Sequence, residues 1–354
     1  MYYYILVLLS FASFCMQNLP IKKQGTHLFA NSYLFFVLIF FISCFRYRVG
    51  TDFLSYQDIF NHDKLIEPLF YALIQIVKYL KGNYQIFVAI VFALAFGLKL
   101  YAFRKLSYPK GFFLSIMLFC SFYYIAYDMN AIRQGLALSV TLLACYYAHQ
   151  KKKLQFYVTC VLACLIHYTA FIFIPFYFLL QFKLKKKTVL FICIICFILS
   201  ANNIFELLIN WSTTLLGNSH IAYQIQAYST SDNFDNNILL SFSTVRRLFF
   251  FLLILFSYEK LDASDRTKAI IFWGGFASII IYLLFAKVGY FSTRLSAYYR
   301  ITECIWLSYF PFIFHKKSTK GFILFFYLAY SLLQIHSALS AENNNLLPIQ
   351  TIFF

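Results

Sequence analysis

Along this chain apolar residues do not alternate with polar ones at the spacing of a half-buried strand or a surface helix. They run together, in stretches near the roughly 20 residues that an α-helix needs to cross a hydrocarbon core of about 30 Å. The stretches fall at about 2–19, 28–45, 84–103, 111–127, 130–149, 153–168, 169–182, 188–203, 238–257, 269–286, 298–314 and 321–338. The pattern predicts an all-α, polytopic integral membrane bundle of about 12 spans, folded as a single domain over 1–354. Because the runs are continuous, a transmembrane β-barrel, in which every second residue faces a lumen, is excluded. Composition agrees: 62% hydrophobic and 12% charged residues cannot be arranged as one water-facing globule. The first run is preceded by no basic region and followed by no small-residue cleavage site, so it is read as a span rather than a signal peptide.

In a soluble protein the net charge of +17 would suggest nucleic acid. Here the lysines sit in short loops between spans, where they orient the chain with those loops in the cytoplasm. Such loops carry Lys22 and Lys23; Arg104, Lys105 and Lys110; Lys151, Lys152 and Lys153; Lys183, Lys185, Lys186 and Lys187; Lys260 and Lys268; and Lys316, Lys317 and Lys320. Alternation between them holds if 67–80, which is amphipathic, is a re-entrant or interfacial helix rather than a span. Both termini then lie outside, with extracytoplasmic loops at 46–83 and, between spans 8 and 9, a large one at 203–237. The apolar run 154–182 is too long for one straight span and is read as two that turn at His167, Tyr168 and Thr169, which puts His167 at the outer face.

Chemistry is sparse on this background. Nearly all nine cysteines, including the Cys193 and Cys196 pair with its redox-like spacing, fall inside apolar runs, where a thiol is a small hydrophobe. No Walker loop, dinucleotide fingerprint or metal-binding His-Glu-x-x-His is present, so no cofactor and no metal are expected. Arginine is the informative residue. Of nine arginines, Arg46, Arg48, Arg133, Arg246, Arg247, Arg294 and Arg300 map to the outer half of this topology, against the usual inward bias of positive charge. Arginine at membrane depth is costly without a partner, and its planar fork suits phosphate or carboxylate. The set suggests an outward pocket for a pyrophosphate or another anionic headgroup. The plainer reading pairs each arginine with a nearby acid such as Asp52, Asp58, Glu67, Asp128 or Glu303.

Arg46-Tyr47-Arg48-Val49-Gly50-Thr51-Asp52, then Tyr56, then Glu67-Pro68-Leu69-Phe70, resembles the opening signature of the EpsG family, membrane proteins encoded with exopolysaccharide genes and related to the Wzy polysaccharide polymerases. Arg133-Gln134-Gly135-Leu136-Ala137 resembles the family's arginine at the start of a central helix. Leu165-Ile166-His167-Tyr168-Thr169-Ala170 is similar to its histidine turn, with Thr169 where serine is usual. Arg294 followed by Tyr298, Tyr299, Glu303 and Pro311 looks like its late arginine–tyrosine element. The segment 203–237 carries no family signal, and its Trp211, Tyr223 and Tyr228 suit either stacking on sugar rings or an interfacial aromatic belt.

The resemblance implies polymerisation of lipid-linked repeat units at the outer side of a bacterial cytoplasmic membrane. The donor would be a glycan on undecaprenyl pyrophosphate and the acceptor a hydroxyl of another such unit. Partners would be membrane lipid, a flippase and a chain-length regulator, with no nucleic acid. The expected pyrophosphate ligands are Arg133, Arg294, Arg46, Arg48 and Arg300, with Arg133 foremost because it sits about a turn into an apolar helix. His167 is the first candidate for the base that takes the acceptor proton, since imidazole titrates near neutral pH. Asp52, Glu67 and Asp128 are its rivals. Asp52 and Glu67 suit equally a supporting role that holds arginines in register, and Asp128 or Asn130 is expected to cap the helix that carries Arg133. Tyr56, Tyr298 and Glu303 complete the supporting set, and Gly50 is expected where the backbone turns tightly. An O-antigen-ligase-like transfer, a multispan acyltransferase and a flippase for the lipid-linked glycan are the alternatives.

Overall fold

A computed structural model describes residues 2–18, 34, 37, 43–62, 66–202, 211, 214, 238–286 and 289–340. In chain order its α-helices are α1 (Tyr2–Gln17), α2 (Phe53–Asn61), α3 (Pro68–Tyr79), α4 (Tyr84–Leu106), α5 (Phe112–Phe119), α6 (Ile132–His149), α7 (Lys153–Ile166), α8 (Phe176–Leu179), α9 (Lys186–Ala201), α10 (Phe242–Ser257), α11 (Asp265–Leu284), α12 (Gly289–Arg300), α13 (Thr302–Tyr309) and α14 (Lys317–Ser340). Every regular element among the described residues is helical, as the continuous apolar runs require. Most of the 28–45 run, and the loop 203–237 apart from an exposed Trp211 and from Thr214, lie outside the described residues.

Among the described residues four helices are long and apolar enough to cross a membrane: Tyr84–Leu106, Pro109–Asn130, Asp265–Leu284 and Lys317–Ser340. Shorter apolar helices, α1 and α7 among them, accompany these. The 298–314 run is not one rod, because the chain breaks at Ile301 between α12 and α13. At 12 residues α3 spans about 18 Å by its rise per residue, short of a hydrocarbon core.

The described residues form two compact units. The first comprises Met1–Ile174, Leu261–Ala263 and Cys304–Phe354. Local chemistry sets its helix ends. Asn83 caps α4 by accepting the Ile86 N–H at 3.0 Å, and Ser107 leaves the helix in extended backbone just before Pro109. Pro68 opens α3, where a missing N–H costs nothing. The α7 helix stops at His167, whose backbone is extended (φ −153°, ψ 114°), and a 3-10 turn, Tyr168–Phe173, follows. The predicted turn at His167 is therefore present. The α5 helix continues without a break into a π-helical segment, Cys120–Asn130, a wide form that is rare and recurs at functional sites.

One end of this unit gathers the start of α4, the end of the π-helical segment, the start of α6 and the end of α7. Tyr84 Oη donates to the Phe53 carbonyl at 3.1 Å, and Asn130 Oδ1 accepts the Thr51 N–H at 3.1 Å. The opposite ends of the same helices carry Arg104, Lys105, Lys110, Lys151, Lys152 and Lys153, and Asn18 at the end of α1 donates to the Lys110 carbonyl there. Five lysines and Arg104 thus cluster at one set of helix ends, and Arg46 and Arg133 stand at the other, together with Lys78, which packs over the Phe60 ring.

The second unit comprises Pro175–Lys260 and Ser264–Glu303. Ser241 and Ser264 cap α10 and α11 through the Thr244 and Thr267 N–H groups. The Trp273 indole donates to the Phe182 carbonyl at 3.0 Å, closing α11 onto the loop before α9.

Candidate functional site

The polar end of the first unit is organised by Glu67. Its Oε2 accepts from Arg133 Nη1 at 2.7 Å and its Oε1 faces His167 Nδ1, also at 2.7 Å. Arg133 additionally reaches the Tyr56 hydroxyl through Nε at 3.5 Å, and its guanidinium lies 5.4 Å from the Tyr56 ring centroid. Each of these groups stands at or beside a helix end: Glu67 before α3, Arg133 at the second residue of α6, and His167 just after α7. Glu67 is 6% exposed, whereas Arg133 and His167 are 26% and 20% exposed, so the acid is the floor and its two partners face outward.

Burial by itself would raise the Glu67 carboxyl, but the hydrogen bond from His167 and the charge of Arg133 outweigh it and hold the group at about 2. Glu67 is then ionised at neutral pH and accepts from both neighbours, so His167 donates through Nδ1–H and its basic nitrogen is Nε2. A carboxyl held so low is a poor proton acceptor but a good orienting group. The sign of the shift fixes a pH dependence. Stability from this cluster is complete above the ordinary carboxyl value of 4.5 and is lost as pH falls through about 2. Thermal unfolding in detergent should show that loss in the wild type, and Glu67→Gln should flatten it; an unchanged acid limb in the variant would contradict the assignment.

Beneath the cluster lies a second charge group that motif reading missed. Lys99 is fully buried in the middle of α4, where its Nζ pairs with Asp128 Oδ1 and donates to the Gly135 carbonyl at 2.9 Å. The capping role expected of Asp128 is corrected here: Ala131 precedes α6, no side chain caps it, and Asp128 sits inside the π-helical segment. An acid opposite a buried lysine gains more from that charge than from backbone amides at a wet helix end. The signal for Lys99 was available, since an isolated lysine inside an apolar segment needs a partner. Lys99→Met should destabilise the protein by about 3–5 kcal/mol, the usual result of stripping one member from a buried pair. Lys99→Arg should retain most of the stability, and an unfolding curve for Lys99→Met matching the wild type would overturn the pairing.

Arg46 is 2% exposed. Its Nη1 donates to Met129 Sδ at 3.4 Å, its guanidinium lies 5.7 Å from the Phe92 ring centroid, and its charge reaches Asp128 and Tyr84. Among the described residues Arg46 Nε and Asp128 Oδ2 have no hydrogen-bond partner. Two glycines make this packing possible. Gly50 has φ +99°, and a Cβ there would collide with Asn130 Oδ1. A Cβ at Gly135 would come within 2.8 Å of Asp128 Oδ1 and 2.5 Å of the Tyr127 carbonyl, so the glycine two places after Arg133 lets α6 close on the π-helical segment.

Not all the sequence candidates join this site. Arg48 is exposed, in a left-handed conformation (φ 53°), with its guanidinium 5.3 Å from the ring centroid of its neighbour Tyr47. Asp52 precedes α2 and accepts from the Thr51 hydroxyl at 3.3 Å; among the described residues it pairs with no arginine. Arg294, Tyr298, Arg300 and Glu303 belong to the second unit. There the charges of Arg300, Arg247 and Arg246 act on Glu303, while Arg247 donates to Ser296 Oγ at 3.1 Å and its guanidinium lies 3.9 Å from the Tyr282 ring centroid. The plain expectation that acids neighbour the arginines is met by Glu67, Asp128 and Glu303.

Within this group of buried and half-buried charges, Arg46, Lys99 and Arg133 against Glu67 and Asp128 leave one positive charge in excess before any protonation of His167. Such an arrangement can take an anion beside a histidine oriented for proton transfer. In comparison with known proteins, no curated protein and no solved structure matches the chain. The model of the EpsG family matches residues 30–351, nearly the whole length and a range that contains every residue of the cluster. The chain therefore belongs to the EpsG family, a polysaccharide polymerase-like family.

Proposed function

We propose that the protein polymerises oligosaccharide repeat units carried on a polyprenyl pyrophosphate, at the outer face of the bacterial cytoplasmic membrane. The observation that carries this reading is the Glu67 carboxylate bridging Arg133 and His167. It places a cation suited to a pyrophosphate beside a base suited to a hydroxyl. In the reaction the acceptor oxygen bonds to the anomeric carbon while the bond from that carbon to the pyrophosphate oxygen breaks. The hydroxyl proton passes to His167 Nε2. The leaving oxygen keeps the electron pair, and Arg133 offsets its growing charge. Polyprenyl pyrophosphate is released and nothing is oxidised or reduced.

Arg46 adds long-range positive charge from below, and Tyr56 orients the Arg133 fork. Arg294 and Arg300 are proposed to supply further anion contacts, and Arg48 to meet substrate at the exposed rim. Asp52 keeps the turn after Gly50, and Tyr298 and Glu303 hold the late arginines. Sidedness rests on the segregation of charge, since the lysine-bearing helix ends read as cytoplasmic and leave the cluster outside. The helices beyond the four long ones complete about twelve crossings, with α3 re-entrant and the segment 203–237 as an outer loop contributing sugar specificity.

Deleting the gene and analysing surface glycan tests this. Single repeat units at the surface are expected. Long polymer left on the carrier would point to a ligase, and repeat units trapped inside to a flippase.

A further inference from the structure

An apolar groove of about 450 Å³ is bordered by α3, α4, α6 and α7. Leu69 and Ile166 form one end of it, two residues after Glu67 and one before His167. From there it follows Val140 and Leu143 on α6, and Leu162 and Val158 on α7. Val140 is about 10 Å along α6 from Arg133 at the rise of an α-helix. The α7 wall is an open stripe: Leu154, Val158 and Leu162 recur every fourth residue and are 77%, 51% and 42% exposed. No charged side chain lines the groove, and its polar members, Gln155, Thr159 and Tyr147, stand toward the lysine-bearing ends of α6 and α7.

We infer that this groove holds the first isoprene units of the donor's polyprenyl chain. The inference rests on the functional reading above and adds where the carrier lies. A lipid whose pyrophosphate sits on Arg133 must lead its chain into hydrocarbon, and the groove begins at residues adjoining both Glu67 and His167. Binding there sets chain-length preference. It also aligns the anomeric carbon with His167, because the chain, pyrophosphate and sugar are covalently continuous.

The test uses full-length protein in phospholipid nanodiscs and two donors with the same glycan, one on undecaprenyl pyrophosphate and one on a single isoprene unit. The wild type should favour the long donor by about tenfold in kcat/KM, the ratio that about 1.4 kcal/mol of binding provides. Val158→Trp and Leu143→Trp, which fill the groove, should lower kcat/KM for the long donor about tenfold, mainly through KM, and leave the short donor unchanged. A second measurement covers misfolded variants: a photoreactive undecaprenyl donor should label peptides within 140–166 of the wild type, with competition by unlabelled donor but not by phospholipid. Equal loss with both donors, unaltered use of the long donor, or labelling competed by phospholipid would overturn the groove and leave the functional reading intact. No turnover of either donor by the wild type would overturn both.

Discussion

Arg133→Lys lowers polymer formation by about 10²–10³-fold, the usual result of removing one preorganised charge donor from a developing anion, while the protein remains in the membrane. The reason lies in shape rather than charge. Arginine presents a planar fork that meets the Glu67 carboxylate at 2.7 Å and the Tyr56 hydroxyl at 3.5 Å. Lysine offers a compact, strongly hydrated ammonium that cannot span both partners or turn one edge to a pyrophosphate. Lysine is the informative replacement, because alanine would also strip a cation from buried Glu67 and mix folding with catalysis. Expression and thermal stability close to wild type, with polymer lost, are the expected results. Long surface polymer in Arg133→Lys would remove Arg133 from the reaction.

His167→Ala lowers turnover by about 10²–10⁴-fold, the range for losing a positioned general base. Glu67→Gln should fall in the same direction by less, because a neutral amide still occupies the space beside Nδ1 but no longer fixes the ring's tautomer. If the pair acts as one unit, the double variant should be little worse than His167→Ala alone. The pH–rate profile gives a readout that a structural role would not move: the acid limb of kcat present in the wild type should vanish in His167→Ala. Additive losses, or an unchanged acid limb, would return the base to another group.

Much of this arrangement was readable before any coordinates. The turn at His167 followed from an apolar run too long for one span, and α7 does end there. Gly50 was expected at a backbone turn, and it sits at φ +99°. Arg133 stood out as an arginine expected a turn into an apolar helix; it is instead the second residue of α6, and it is the residue that Glu67 engages. What could not be read was pairing across the chain. Glu67 and His167 are 100 residues apart, and neither local periodicity nor spacing decides whether an acid is a base, a partner or a cap. Asp128 was misjudged for the same reason, since five residues before an arginine it looks like a helix start. Its actual partner, Lys99, lies 29 residues earlier on another helix. The π-helical segment left no pattern either, because a change of one residue per hydrogen-bonded turn leaves a uniformly apolar run looking the same.

The most direct measurement is turnover by the purified protein, in phospholipid nanodiscs, of a polyprenyl-pyrophosphate-linked repeat unit as sole substrate. The account predicts a ladder of carrier-linked polymer, one polyprenyl pyrophosphate released for each linkage formed, and loss of both in His167→Ala. A wild-type protein that leaves the repeat units unjoined, or a ladder that persists in His167→Ala, would contradict it.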